Sequence, residues 1–156
     1  MISYFDNLRQ DEKDLMYRAP VLVAILIAGA DDKFDKKEIK EALNISQLKQ
    51  VKARRILIDY YAEVGKDFEY NLIEEIATLP REARKRNPVI IEELEKLNLV
   101  LPKLDKKFAI QYYDSMIDIA KRIATASGGI LGYLSVGFEE SKLVELKMIR
   151  NPGKPK

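Results

Sequence analysis

The sequence predicts an all-α fold, on three observations. Apolar residues recur mostly at three- and four-residue spacing, the period of one helix face. Few stretches alternate strictly, as a half-buried strand would. Capping residues and breakers (Asp, Ser, Asn, Gly, Pro) divide the chain at helix-sized intervals. The chain has 156 residues, a length that fits one domain and buries roughly two thirds of the surface of its unfolded form. Hydrophobic residues make up 47% and charged residues 33%, which supplies a core and argues against disorder.

Taken in order, residues 11–17 form an amphipathic opening. Pro20 suits the first turn of a following helix, where its missing donor costs nothing. Residues 21–30 are apolar on nearly all sides, which predicts a central, buried helix. Asp35 can cap a short helix over 36–43, and Asn44 can end it. Ser46 can cap the next, over 47–64, with Gly65 as its stop. Asp67 opens another that runs to Thr78, and Pro80 follows. Residues 81–86 are charged and read as a helical turn. Asn87-Pro88 reads as a cap and first-turn proline for a helix to Leu97. Pro102 marks a break. Asp105 can cap a long helix over 106–127, with Phe108, Tyr112, Met116, Ile119 and Ile123 on its apolar face, ended by Gly128 and Gly129. A glycine-rich loop, G-G-I-L-G-Y-L-S-V-G, then precedes a last helix over 139–149 and an irregular N-P-G-K-P-K end, which predicts fraying.

Composition excludes several chemistries. There is no cysteine and no histidine. Zinc sites are built mainly from those two residues, and thiol nucleophiles, iron–sulfur clusters and a serine–histidine–aspartate triad require them. No side chain remains whose ordinary pKa lies near neutrality, so catalysis would need carboxylates, lysine, tyrosine or a hard metal held through oxygen. The 27 basic and 25 acidic side chains leave a formal charge of +2, with no global pull toward nucleic acid or anionic membrane. The early acidic residues and lack of an apolar stretch at the start do not resemble a secretory signal. The longest apolar run, over 19–30, falls short of the about 20 residues of a membrane span. A cytoplasmic protein without membrane insertion is the expectation.

Two segments look alike. The first reads A-G-A-D-D-K-F-D-K-K-E-I-K over 28–40. The second reads A-T-A-S-G-G-I over 124–130 and rejoins at F-E-E-S-K-L over 138–143. Ala28, Ala30 and Phe34 match Ala124, Ala126 and Ile130 at one constant offset. Each segment is the end of an apolar helix, a small-residue turn and a charged helix. This arrangement resembles the TerB-like family, small helical proteins named after the tellurite-resistance protein TerB. There each half carries a helix ending Ala-x-Ala-Asp-Gly, an apolar residue and an acidic helix start. Here Asp32 stands where the first glycine is expected and Ser127 where the second aspartate is expected. The resemblance covers about residues 15–149. It implies a compact bundle of about seven helices with an approximate internal two-fold repeat: residues 1–150 as one TerB-like domain, and 151–156 as a disordered tail. It also implies a tellurite or chemical-stress setting and metal binding at the acidic turns.

Four groups of residues are candidates for chemistry. Asp31, Asp32, Asp35 and Glu38 place four carboxylates in one turn and could supply part of the oxygen shell of a divalent cation such as calcium. The register does not match an EF-hand, because the sixth position from Asp31 is Lys36 and the twelfth is Ala42. Capping and dipole compensation is the plainer account of the same residues. The glycine-rich stretch over 128–137 lacks the lysine and hydroxyl of a phosphate-binding loop. Its apolar side chains either cover the core or form a contact surface. Arg81, Arg84, Lys85 and Arg86 form one basic group, and Lys147, Arg150, Lys154 and Lys156 a second. Both read as solvated faces able to touch phosphates, but without the interleaved aromatics of single-strand binders. Tyr60-Tyr61 and Tyr112-Tyr113 each predict one buried and one partly wet ring, and Asp114 and Asp118 beside them could do acid–base work only if buried. The expected function is a non-enzymatic binding module of the bacterial cytoplasm, with weak metal binding at the Asp31 turn. The alternative is a protein-interaction or scaffold domain with no small ligand. Protein partners are expected and nucleic acid is not.

Overall fold

The computed structural model describes residues 3–29, 55–135 and 143–154, with the side chains of 125–135 outside that description. The fold is all-α, and no strand occurs among the described residues. We label the helices α1 (Gln10–Ala28), α2 (Ile58–Thr78), α3 (Ala83–Glu95), the single turn α4 (Leu97–Val100) and α5 (Lys106–Ser135). Short 3-10 turns lie at Ser3–Phe5, Arg55–Leu57 and Leu101–Lys103.

The apolar helix expected near the centre is there. Val21, Leu22, Val23, Ala24, Ile25, Leu26 and Ile27 are all buried, and α1 packs against α2, α3 and α5. It begins earlier than expected, however, at Gln10. The Glu12 carboxylate accepts the Arg9 backbone N–H at 2.9 Å and satisfies one orphan donor of the first turn. Lys103 Nζ meets the other Glu12 oxygen at 2.7 Å, and this contact holds the buried carboxyl below its usual range. Pro20 therefore lies inside the helix rather than at its start, and the helix has no donor for the carbonyl of Met16. The Tyr60 hydroxyl of α2 donates to that oxygen at 2.5 Å, and the Tyr112 hydroxyl of α5 approaches it at 3.4 Å. A proline defect in one helix thus fixes where the other two meet it. Phe5, Phe108, Tyr17 and Tyr112 surround the Tyr60 ring, with centroids 5.5–6.4 Å away.

Four further boundaries differ from expectation. Gly65 does not stop a helix, since α2 runs through it. Pro88 does not open one, since α3 starts at Ala83. Pro88 and Arg84 are both exposed, so water can replace the missing donor. Gly128 and Gly129 do not end α5, which stays helical to Ser135. Glycine stops a helix when the chain turns left-handed. Within a helix it costs only about 1 kcal/mol relative to alanine, and the apolar spacing continues through Ile130, Leu131 and Leu134. The second copy of the repeat therefore lacks the helix end expected after Ala126. Leu143 is helical, but residues 144–149 form turns rather than carrying the last helix to 149, with Leu146 at φ 46° and Leu146 and Ile149 buried; residues 139–142 of that expected helix lie outside the described residues. Burying these two side chains overrides local helix propensity. Among the described residues there are four helices of 13 residues or more, against about seven expected for the whole chain.

Polar contacts tie the layers together. Arg18 of α1 forms a forked pair with Glu75 of α2 and lies 3.6 Å from Glu93 of α3. Arg86, expected on a solvated face, is buried, and its guanidinium donates to the carbonyls of Gly29 and of Arg81. It places positive charge on the carbonyl end of α1, where the helix dipole favours it. Tyr61 is buried as well as Tyr60, contrary to the one-in, one-out expectation. Ser115 Oγ gives its proton to the Tyr112 carbonyl at 2.6 Å and so accepts from the Tyr61 hydroxyl at 2.5 Å. Tyr112 and Tyr113 follow the expectation, one buried and one half-buried.

Candidate functional site

The described side chains enclose a cleft of about 360 Å³ at one end of the bundle. Its first wall comes from α4 and the 3-10 turn after it, through Asn98, Leu101 and Pro102. Leu104 and Ala109, at the first turn of α5, are buried and form the floor, with exposed Lys106 of the same turn at its edge. The C-terminal turn closes it with Arg150, Asn151, Pro152 and Lys154.

Each part has a local cause. Pro102 stops α4 from continuing, and Leu104 turns the backbone extended before Asp105 caps α5 by accepting the Phe108 N–H at 3.0 Å. The cap directs α5 away from α4 and leaves Lys106 on the rim. Asn98 holds the opposite wall: its Nδ2 donates to Met148 O at 2.8 Å, and its Oδ1 accepts the Arg150 N–H at 2.7 Å. One amide thereby clasps the backbone on both sides of Ile149, whose side chain is buried. Gly153 N–H donates to Asn151 Oδ1 at 2.9 Å and closes the final turn. Residues 151–154 form this turn beside α5, where a side-chain carbon at position 153 would stand 3.5 Å from Ile110 Cγ1.

The electrostatics follow from who is paired. Lys106, Arg150 and Lys154 are exposed, and none has a carboxylate partner among the described residues. Lys147, from the same basic group of the sequence, is paired with Glu145 at 3.2 Å. Among the described residues no acidic side chain lines the cleft. A cleft of this volume is about one Debye length across, ~8 Å at physiological salt, so the fields of the three cations overlap inside it. The arrangement can hold an anion: its only charged lining groups among the described residues are the two lysines and Arg150.

The residues singled out from sequence fall elsewhere. Asp31, Asp32, Asp35 and Glu38 lie outside the described residues. Among the described residues no three acidic side chains gather as a metal ion would require. The backbone of 128–135 is helical, and the role of its side chains lies outside the description. Asp114 is exposed, and Asp118 pairs with Arg122 at 2.9 Å one turn along α5, so the carboxylates beside the tyrosines do not enter a buried acid–base pair. Sequence reasoning had grouped Arg150 with Lys154 but missed Lys106 and Asn98. The one available signal was the pair of breaks at Pro102 and Asp105, which place a turn beside the basic end. Among the described residues no helix is long and apolar enough to cross a membrane.

No family model matches the chain, and no solved structure matches it. The chain is similar to the uncharacterized protein ORF11' of Methanothermobacter thermautotrophicus, 27% identical over 116 residues that cover 74% of each chain.

Proposed function

We propose that this protein is a non-enzymatic binding module that takes a small anion in the cleft between α4, the start of α5 and the C-terminal turn. The observation that carries this reading is the convergence of Lys106, Arg150 and Lys154, without carboxylate partners among the described residues, around one concave site. Small-ligand sites are typically concave, largely apolar and fitted with a few oriented charges, and this cleft has each property. The TerB-like resemblance would set such binding in tellurite or other chemical stress within a seven-helix repeat, with a divalent cation at the Asp31 turn. Those finer expectations rest on the short motifs of the sequence. The scaffold alternative gains little weight from the surface: Tyr70 and Ile73 on α2 are exposed, but scattered apolar side chains are ordinary on protein surfaces.

Calorimetric titration of the full chain with inorganic phosphate at low salt tests the proposal. Saturable binding that weakens as salt rises is expected. A hydrogen bond to a charged group contributes about 1.5–3 kcal/mol, so Arg150→Ala should weaken binding roughly ten- to a hundredfold, with the fold intact by circular dichroism. Equal binding by wild type and a Lys106→Ala, Arg150→Ala, Lys154→Ala variant would sink the assignment to this cleft.

A further inference from the structure

The cations lie on the rim of the cleft, but its base is apolar. Buried Leu101, Leu104 and Ala109 make that base, with exposed Pro102 and half-buried Pro152 at its edges. The amide of Asn98 offers little to a ligand, because its two ends are engaged by Met148 O and the Arg150 N–H. The Asn151 carbonyl oxygen of the side chain is likewise engaged, by Gly153 N–H. A bare oxyanion would satisfy the rim and leave the base wet.

We infer, building on the anion-binding reading, that the ligand is an oxyanion head, carboxylate or phosphate, on a short aliphatic or single-ring body. The head meets Lys106, Arg150 and Lys154, and the body covers Leu101, Leu104 and Pro152. The size of the cleft, about 360 Å³, is at the small end of the roughly 300–1,000 Å³ typical of ligand sites. That excludes long chains and favours a small metabolite. Specificity divides accordingly: the charges select any small anion, and the base selects among anions by apolar area. Each methylene moved from water onto an apolar wall is worth about fourfold in affinity, a gradient that surface cations alone do not produce.

Two homologous series, acetate to hexanoate and inorganic phosphate to hexyl phosphate, are titrated into the full chain by calorimetry. The expected result is an affinity that climbs about fourfold per added methylene before levelling off, with a negative heat-capacity change on binding. The steeper or tighter series identifies the head group. Replacing Pro152, at the half-exposed edge of the base, in a Pro152→Ser variant should flatten the gradient while leaving inorganic phosphate unaffected. Equal affinity for inorganic and hexyl phosphate, and for acetate and hexanoate, overturns the inference and leaves anion binding standing. Absence of binding by every probe overturns both.

Discussion

At the scale of single residues, the most informative atom is the carbonyl oxygen of Met16. Pro20 deprives it of its helical donor, and Tyr60 and Tyr112 supply replacements from two other helices. A buried acceptor left without a partner costs about 1–3 kcal/mol, so Tyr60→Phe should destabilise the protein by an amount in that range in urea unfolding. Pro20→Ala restores a backbone N–H that can reach the same oxygen, so Tyr60→Phe should cost less in that background. The two effects should fail to add by at least about 0.5 kcal/mol; strict additivity would refute the compensation. The sequence marks Pro20 as a helix start because a first-turn proline is harmless. The residues that make it harmless in mid-helix lie 40 and more positions away, beyond any local pattern.

Among the helices, what was legible is what depends on burial alone. The all-apolar stretch ending near Ala28 becomes the central α1, and Phe108, Tyr112, Met116, Ile119 and Ile123 form the buried stripe of α5 behind the expected Asp105 cap. Boundaries set by glycine were not legible. Glycine commonly stops a helix by taking a positive φ, which the sequence does not display, and Gly29 ends α1 even at φ -104°. Gly65 shows the point most simply: it sits inside α2, and beyond its chain neighbours and the backbone of its own turn no described atom lies within 4 Å of where a Cβ would stand. Gly65→Ala should therefore stabilise the protein by about 0.4–1 kcal/mol, through loss of unfolded-state freedom and better helix propensity. Thermal unfolding measures it directly, and a lowered midpoint would mean that α2 is bent or contacted there in a way the geometry does not show.

For the molecule as a whole, the tyrosine cluster sets a limit on alkaline stability. Burial raises the Tyr60, Tyr61 and Tyr112 hydroxyls above their ordinary value of 10.0. Above that pH the unfolded chain releases protons that the folded chain retains, so stability is complete below pH 10 and falls as pH rises beyond it. Tyrosinate absorbance from these rings should appear together with unfolding. A smooth titration of every tyrosine in a protein still folded by circular dichroism would contradict their burial. The cleft, by contrast, could not be read from the sequence, because Asn98, Lys106 and Arg150 belong to three separate segments and only tertiary packing gathers them. The clasp by which Asn98 holds Met148 and Arg150, 50 and 52 residues further along, also orders events in time. A ribosome adds about 5–20 residues per second, so after Asn98 is made, roughly 3–10 s pass before its partners exist. The four long helices among the described residues are already synthesised by then. The cleft therefore closes only after the helices it leans on have been made, so a nascent chain can fold that part of its core before the cleft exists.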